Sequence, residues 1–301
     1  MLRSIMVPLD GSPLADLAIE PAAALALHHG ALLLLVTVHE ALAPTEELDR
    51  ADREALAAHL EAIRTATAEK WRIRTETVRL DAGRAVAERL ADVADTREVD
   101  LVVMTTHGRG AAGRAWFGSV VDHFVRIAPC PVLLIRKSTG ESRASFRRIL
   151  VPLDGSAGAE LALADAALLA SDRSEILVLR VIVPVITFSS APAGDTLLSG
   201  GVLDEQRREA ERYANAMAAR LESDGHRARG IAVIDTSPAA AILDVAEEQR
   251  PDLIVMAGAR RSGADRFLLG SVMDKVVRQA HVPVLIRRIA GKEGQARDRA
   301  P

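Results

Sequence analysis

Val7-Pro8-Leu9-Asp10-Gly11-Ser12 returns residue for residue as Val151-Pro152-Leu153-Asp154-Gly155-Ser156, 144 positions later. Further along, Asp100-Leu101-Val102-Val103-Met104 is answered by Asp252-Leu253-Ile254-Val255-Met256, now 152 positions on. The same spacing aligns Gly118-Ser119-Val120 with Gly270-Ser271-Val272, and Pro131-Val132-Leu133 with Pro283-Val284-Leu285. Matched blocks in one order make the 301-residue chain a duplication. The wider spacing gives the second copy eight extra residues, expected in the Pro-, Ser- and Gly-rich stretch from Pro184 to Gly201.

Working outward from the first motif, each copy reads β-α-β-α-β-α-β-α-β. Ser4 to Leu9 is an apolar strand, and Pro13 to His29 has helical spacing closed by Gly30. Ala31 to Val38 is a second apolar strand, followed by a long helix over Thr45 to Lys70. A more alternating strand over Arg72 to Leu80 belongs at a sheet edge, and Arg84 to Asp95 is a helix. Strand Leu101 to Thr105, helix Gly118 to Ile127 and strand Pro131 to Ile135 complete the copy. Unbroken aliphatic runs alternating with helices predict α/β domains, each a five-stranded parallel sheet with helices on both faces. A strand order of 3-2-1-4-5 is taken for each, which would set strands one and four at the point of reversal. The expected domains are residues 1–137 and 147–290, joined by a polar linker from Lys137 to Phe146.

Composition narrows the function. Apolar residues make up 49% of the chain and aromatic ones 3%, which suits an aliphatic core and argues against a base-stacking surface. A net charge of −3 gives no sign of nucleic acid or an anionic membrane as partner. The single cysteine, Cys130, precludes an intramolecular disulfide and a thiolate metal cluster. The start of the chain runs into a strand without a signal-peptide pattern, and no apolar run would span a bilayer, so a cytoplasmic protein is expected.

In an open α/β sheet, ligands sit beyond the carboxyl ends of the strands where strand order reverses. Asp10 and Asp154 follow the first strand of each copy, and Thr105 to Gly118 leaves the fourth, so both motifs face one crevice. Gly118-Ser119 opens a helix whose N-terminus favours phosphate, with Ser119 placed to cap it or to donate to a phosphate oxygen. Asp10 is placed to accept hydrogen bonds from a ribose or base. A βα turn with an N-cap is the alternative reading of Asp10-Gly11-Ser12, and a plain helix start that of Gly118-Ser119.

With Met104-Thr105-Thr106-His107-Gly108-Arg109-Gly110 and Ala128-Pro129-Cys130-Pro131-Val132 added, the ordered motifs resemble the universal stress protein family in its tandem form. The resemblance covers nearly the whole chain. It implies a nucleotide-binding fold with ATP as ligand, with or without Mg2+, or else AMP or a cyclic nucleotide. It places the binding residues of the first copy at Pro8, Leu9, Asp10, Val38, Thr105, Gly108, Arg109, Gly110, Gly118, Ser119 and Val120. Those of the second fall at Asp154, Val181, Ala257, Arg260, Gly270, Ser271 and Val272. Thr105 and Ala257 stand where the family motif has its first glycine, and Arg260 where it has its second. A β-branched Thr tolerates positive φ badly, so a reshaped corner is expected at Thr105. The first copy is expected to hold nucleotide better than the second. The resemblance also implies pairing of the two halves as an intrachain pseudo-dimer through their last strands, and further pairing of two chains as a homodimer.

Other motifs carry less. Gly108-Arg109-Gly110-Ala111-Ala112-Gly113 matches a dinucleotide fingerprint but follows the fourth strand and has no acidic residue about twenty positions on. No P-loop pattern occurs. His28-His29, adjacent on a helix, cannot face one metal and suit a cationic helix C-terminus. His107 is either a phosphate contact or a solvated loop residue, and Cys130 a packed thiol. Asp204 to Arg212 reads as a solvated helix face. Arg109, Arg114, Arg260, Arg261 and Arg266 surround the two loops with positive charge. Three functions compete: a stress or signalling protein that binds an adenine nucleotide, a ligand-free scaffold or chaperone-like protein, and a slow ATPase or phosphotransferase. With no base or metal pair in the motifs, the binder is expected rather than an enzyme.

Overall fold

The computed structural model describes residues 1–41, 44–106, 118–136, 146–184, 200–259 and 270–289. The chain divides into two compact units, one formed by the first repeat together with the last strand, the other by the rest of the second repeat.

The first unit is built on β1 (Ser4–Pro8), β2 (Leu32–His39), β3 (Thr75–Asp81), β4 (Leu101–Thr105) and β5 (Val132–Ile135). Its strands lie in the order β3-β2-β1-β4-β5, parallel throughout, as the alternation of elements predicts. β4 and β5 are buried along their whole length, which is why they read as unbroken aliphatic runs. β3, with the sequence Thr-Glu-Thr-Val-Arg-Leu-Asp, takes the edge. Beyond β5 the sheet gains β10 (Val284–Ile289), which runs antiparallel with Val284 opposite Leu134 and Ile286 opposite Val132.

The helices are α1 (Pro13–Asp16), α2 (Ile19–His29), α3 (Glu46–Trp71), α4 (Val86–Thr96) and α5 (Ser119–Ile127). Sequence spacing predicts one helix from Pro13 to His29, but the chain breaks at Leu17 and Ala18, whose N–H groups turn back to Leu14 and Ala15 at 3.3 and 3.1 Å. Pro21 is the cause: it has no N–H for the Leu17 carbonyl, and its ring crowds that carbonyl. α2 packs on α3 and α4 on α5. Right-handed crossovers, leftward from β1 to β3 and rightward from β3 to β5, put the two pairs on opposite faces.

The second unit repeats the pattern with β6 (Phe146–Leu153), β7 (Ala170–Ile182), β8 (Arg227–Ile234) and β9 (Leu253–Ala259), in the parallel order β8-β7-β6-β9. Its helices are α6 (Ala157–Leu169), α7 (Gly200–Ser223), α8 (Pro238–Gln249) and α9 (Ser271–Gln279). Phe146, expected to end the linker, instead starts β6 and is buried. The remainder of the expected linker and most of the expected insertion lie outside the described residues.

The repeated Asp100 and Asp252 have a structural use. Asp100 accepts from the backbone N–H groups of Arg3 and Ser4 at 2.6 and 3.0 Å, and Asp252 from those of Arg147 and Arg148 at 2.8 and 3.0 Å. Each carboxylate ties the start of the first strand of its repeat to the start of the fourth. Such charge-assisted bonds satisfy N–H groups that the parallel ladder leaves open at its edge of entry.

Candidate functional site

β1 and β4 are neighbours, with Ile5 opposite Leu101, while β2 and β5 lie on their outer sides. The strand order therefore reverses between β1 and β4, and the carboxyl ends of these strands are where open α/β sheets form their crevice. Pro8 ends β1, and the buried Leu9 extends it by donating its N–H to Val36 at 2.8 Å. Asp10 follows at the mouth. Its Oδ1 accepts the Ser12 N–H at 2.9 Å, Gly11 adopts φ +77°, and Ser12 Oγ accepts the Ala15 N–H at 3.2 Å. The second repeat matches: Asp154 Oδ1 accepts from the Ser156 N–H at 2.9 Å and hydroxyl at 2.6 Å, and Gly155 has φ +89°. The Asp-Gly-Ser motif is thus an Asx turn feeding a helix N-cap, and every residue in it is needed for the turn.

On the other side of the crevice, Thr105 closes β4 opposite Ile135, and Thr106 donates its N–H to Ile135 at 3.1 Å. Among the described non-glycine residues, positive φ occurs at Arg72, Glu98 and Arg250, so Thr105 is an ordinary strand residue without the positive φ that Thr tolerates badly; the corner beyond Thr106 lies outside the described residues. Ala257 likewise lies within β9. Gly118 donates its N–H to Thr106 at 3.2 Å, which brings the start of α5 back to the end of β4. Gly118 itself is the N-cap, with φ −65°, and no side chain caps the helix. Ser119, expected to cap or to donate, is the first helical residue and is exposed; Val120 follows half-buried. The α5 N-terminus thus leaves its first N–H groups without a side-chain cap at the end of β4; α2, α4 and α8 also lack one, whereas α1, α3 and α6 have Ser12, Thr45 and Ser156. α9 starts in the same way at Gly270, here with φ +87°, followed by Ser271 and Val272. Val38 and Val181 stand at matching ends of β2 and β7, opposite Leu80 and Val233. Gly108, Arg109, Gly110 and Arg260, with His107, Arg114, Arg261 and Arg266, lie outside the described residues.

The second repeat carries a side chain that its sequence motifs do not reveal. Arg180, opposite Leu153, donates to the Leu153 carbonyl at 3.3 Å and spreads its guanidinium over the Asp154-Gly155 turn. A Cβ on Gly155 would lie 3.4 Å from Arg180 Nη2. The guanidinium also lies 5.7 Å from the centre of the Tyr213 ring, whose hydroxyl donates to Glu160 at 3.1 Å. At the corresponding place the first repeat has Thr37, too short to cover its turn. Burial, then the Glu160 charge, push the Tyr213 phenol up to about 12 from its ordinary value near 10. Because folding raises this pKa, the stabilisation is complete below about pH 10 and is lost as pH rises toward 12. Tyr213 is the only tyrosine, so the tyrosinate absorbance of the whole chain reports it alone. We expect a midpoint near 12 in the folded protein, moved down in Glu160→Gln; a midpoint near 10 in folded protein would show the phenol to be solvated.

Two side residues settle differently. Burial, with His28 as a smaller cause, lowers the pKa of His29, so it is a packed neutral ring and not the expected helix-end cation. Burial pushes the Cys130 thiol up to about 12, which makes it the expected packed thiol. The Asp204–Arg212 stretch is a solvated ion-pair face, with Glu205 between Arg208 and Arg212 at 2.8 Å each. No helix among the described residues is long and apolar enough to cross a membrane.

The fold defines a duplicated α/β protein of the doubly wound type, with a strand-order reversal between β1 and β4. The family model described as "Universal stress protein family" matches residues 1–136 and 145–288, and the chain belongs to that family as a tandem member. It is 32% identical over 149 residues to a universal stress protein of Methanocaldococcus jannaschii, covering 49% of this chain and 85% of that one. A universal stress protein of Thermus aquaticus is 39% identical over 140 residues, 45% of this chain and the whole of that protein. The crystal structure of a universal stress protein from Archaeoglobus fulgidus shares the fold over 95% of this chain and 98% of its own, with a TM-score of 0.67 at 18% identity.

Proposed function

We propose that this protein binds an adenine nucleotide, with ATP the leading candidate, in the crevice of its first repeat, and serves as a stress-response binder and not as an enzyme. The observation that carries the reading is the uncapped N-terminus of α5, delivered to the reversal point by the Gly118–Thr106 hydrogen bond of 3.2 Å. Backbone N–H groups at a helix start, aided by the helix dipole, suit a phosphate tail. Asp10 and the end of β2 at Val38 lie on the side left for ribose and base. Among the described residues no group of three or more His, Cys, Asp or Glu could hold a metal ion, so Mg2+ would arrive with the phosphates.

Two features favour the first repeat. Gly108 stands where the second repeat has Arg260, and Arg180 covers the second turn while Thr37 leaves the first open. Titrating the whole chain with ATP is expected to show one tight site per chain; two equal sites, or none, would refute the assignment. Turnover is expected to be slow. N–H groups and Ser119 hold a phosphate tail alike before and during transfer, and such uniform binding raises affinity without accelerating chemistry. A preparation free of contaminating ATPases that turns over several times per second, and loses that rate in Ser119→Ala, would make it an enzyme.

A further inference from the structure

The two repeats serve as controls for each other. At the carboxyl ends of β2 and β3, the first repeat sets Thr37 opposite Arg79 and His39 opposite Asp81. At the same register the second repeat sets Arg180 opposite Ala232 and Ile182 opposite Ile234. The fold thus accepts a largely apolar set here and does not require the polar one. Thr37 and His39 are nevertheless buried, at 3% and 6% exposure, and the Thr37 hydroxyl has no hydrogen-bond partner among the described residues. An unpaired buried hydroxyl costs about 1–3 kcal/mol, which a valine would avoid.

These residues line a cavity of about 180 Å³ beneath α3, with an apolar wall from Leu56 and Ala57 and the strand backbone passing at Leu80. A cavity of about 150 Å³ is enough for benzene, so a compact organic molecule fits. Alternate residues of a strand face opposite sides, so Thr37 and His39 point away from the side that Val38 presents. The cavity therefore lies on the α3 face of the sheet, opposite the side that Val38 presents.

Its charges are mixed. Arg53 reaches from α3 to Asp81 at 2.5 Å and to Asp49 at 3.2 Å, and His39 Nε2 lies 2.9 Å from Asp49 and Nδ1 3.6 Å from Asp52. Arg79, on the exposed edge strand, makes no salt bridge among the described residues. A purely anionic ligand would meet Asp81, and a purely cationic one Arg79. Arg79 and Asp81 are two residues apart on one face of a strand, about 6.6 Å between Cα atoms, and can grip the two ends of a small dipolar molecule.

We propose that this cavity is a second ligand site, for a zwitterion of the α-amino acid class with an aliphatic side chain. Arg79 and the Thr37 hydroxyl take the carboxylate, Asp81 takes the ammonium, and Leu56 and Ala57 take the side chain. The test is calorimetric titration of the full chain with L-leucine, with isocaproate, which lacks the ammonium, and with isoamylamine, which lacks the carboxylate. Leucine is expected to bind, and each half-molecule at least about tenfold more weakly, as loss of one charge-assisted bond implies. Arg79→Ala and Thr37→Val are expected to weaken leucine by about tenfold or more. Thr37→Val should do so while leaving thermal stability equal or higher, which separates lost binding from lost folding. Failure of leucine to bind at millimolar concentration, equal binding of either half-molecule, or unchanged affinity in Arg79→Ala would each overturn the proposal.

Discussion

Gly118→Asp is expected to abolish nucleotide binding while leaving the protein as stable as before, or more so. At φ −65° any residue is at ease, and among the described residues a Cβ at Gly118 would meet Val121 Cγ2, at 3.9 Å. Asp is a better N-cap than Gly by a few tenths of a kcal/mol, and a negative charge at a helix start gains roughly 0.3–1 kcal/mol more. The same carboxylate would fill the place proposed for phosphate. Two like charges about 4 Å apart near a protein surface repel by about 4 kcal/mol, so affinity should fall by at least about a hundredfold. ATP titration and thermal unfolding of one preparation read the two effects together. The equivalent change in the second repeat makes a control. Gly270 has φ +87° and ψ 138°, a conformation nearly confined to glycine, so Gly270→Asp should cost about 1–3 kcal/mol and leave ATP binding in place. If Gly118→Asp binds ATP as the parent does, phosphate is not held at α5.

The parallel α/β class and the edge position of β3 were legible because they depend on patterns within single elements, and the duplication because its motifs recur in one order; the strand order was an assumption that the structure bears out. Aliphatic runs mark buried strands, and the alternation in Thr75–Asp81 marks an edge. What eluded sequence reading depends on residues that meet only in three dimensions. The break in the helix from Pro13 to His29 was readable in principle from Pro21, whose effect falls four residues earlier, on Leu17. The Asp-Gly-Ser motif reads either as a turn or as part of a site, and the turn by itself accounts for Ser12, Gly11 and the Asp10 carboxylate that accepts the Ser12 N–H. Nothing in the spacing of Arg180, Tyr213 and Glu160, or of Thr37, His39 and Arg79, joins them before the strands are paired. The repeat does supply a signal for such clusters. Positions that are polar in one copy and apolar in the other, once aligned through strand register, point to what the fold does not itself demand.

Gly230→Ala is expected to be the most damaging of the conservative substitutions considered for this protein, and the reason lies in how closely α7 approaches β8. A Cβ on Gly230 would fall 2.5 Å from Asn215 Oδ1 and 2.7 Å from both Ala214 C and Asn215 N. The amide oxygen could swing aside, but the two backbone atoms can move only with the helix. α7 meets the sheet through Ala210, Ala214 and Ala218, spaced one turn apart, so the small side chains bring the helix axis in and the glycine receives it. α3 covers the first sheet with Leu56 and Leu60 instead, and the position matching Gly230 is Thr77, opposite Leu35 as Gly230 is opposite Val178. Larger residues on both sides hold α3 off, which leaves the cavity beside Thr37. Forcing a methyl into the closer contact should cost about 1–3 kcal/mol, at the upper end because the obstacle is backbone. Urea unfolding monitored by circular dichroism should therefore show a lower midpoint for Gly230→Ala, with Thr77→Ala changing it less. A Gly230→Ala protein as stable as the parent would mean that α7 has room to withdraw, and that the cavity in the first repeat owes nothing to helix stand-off.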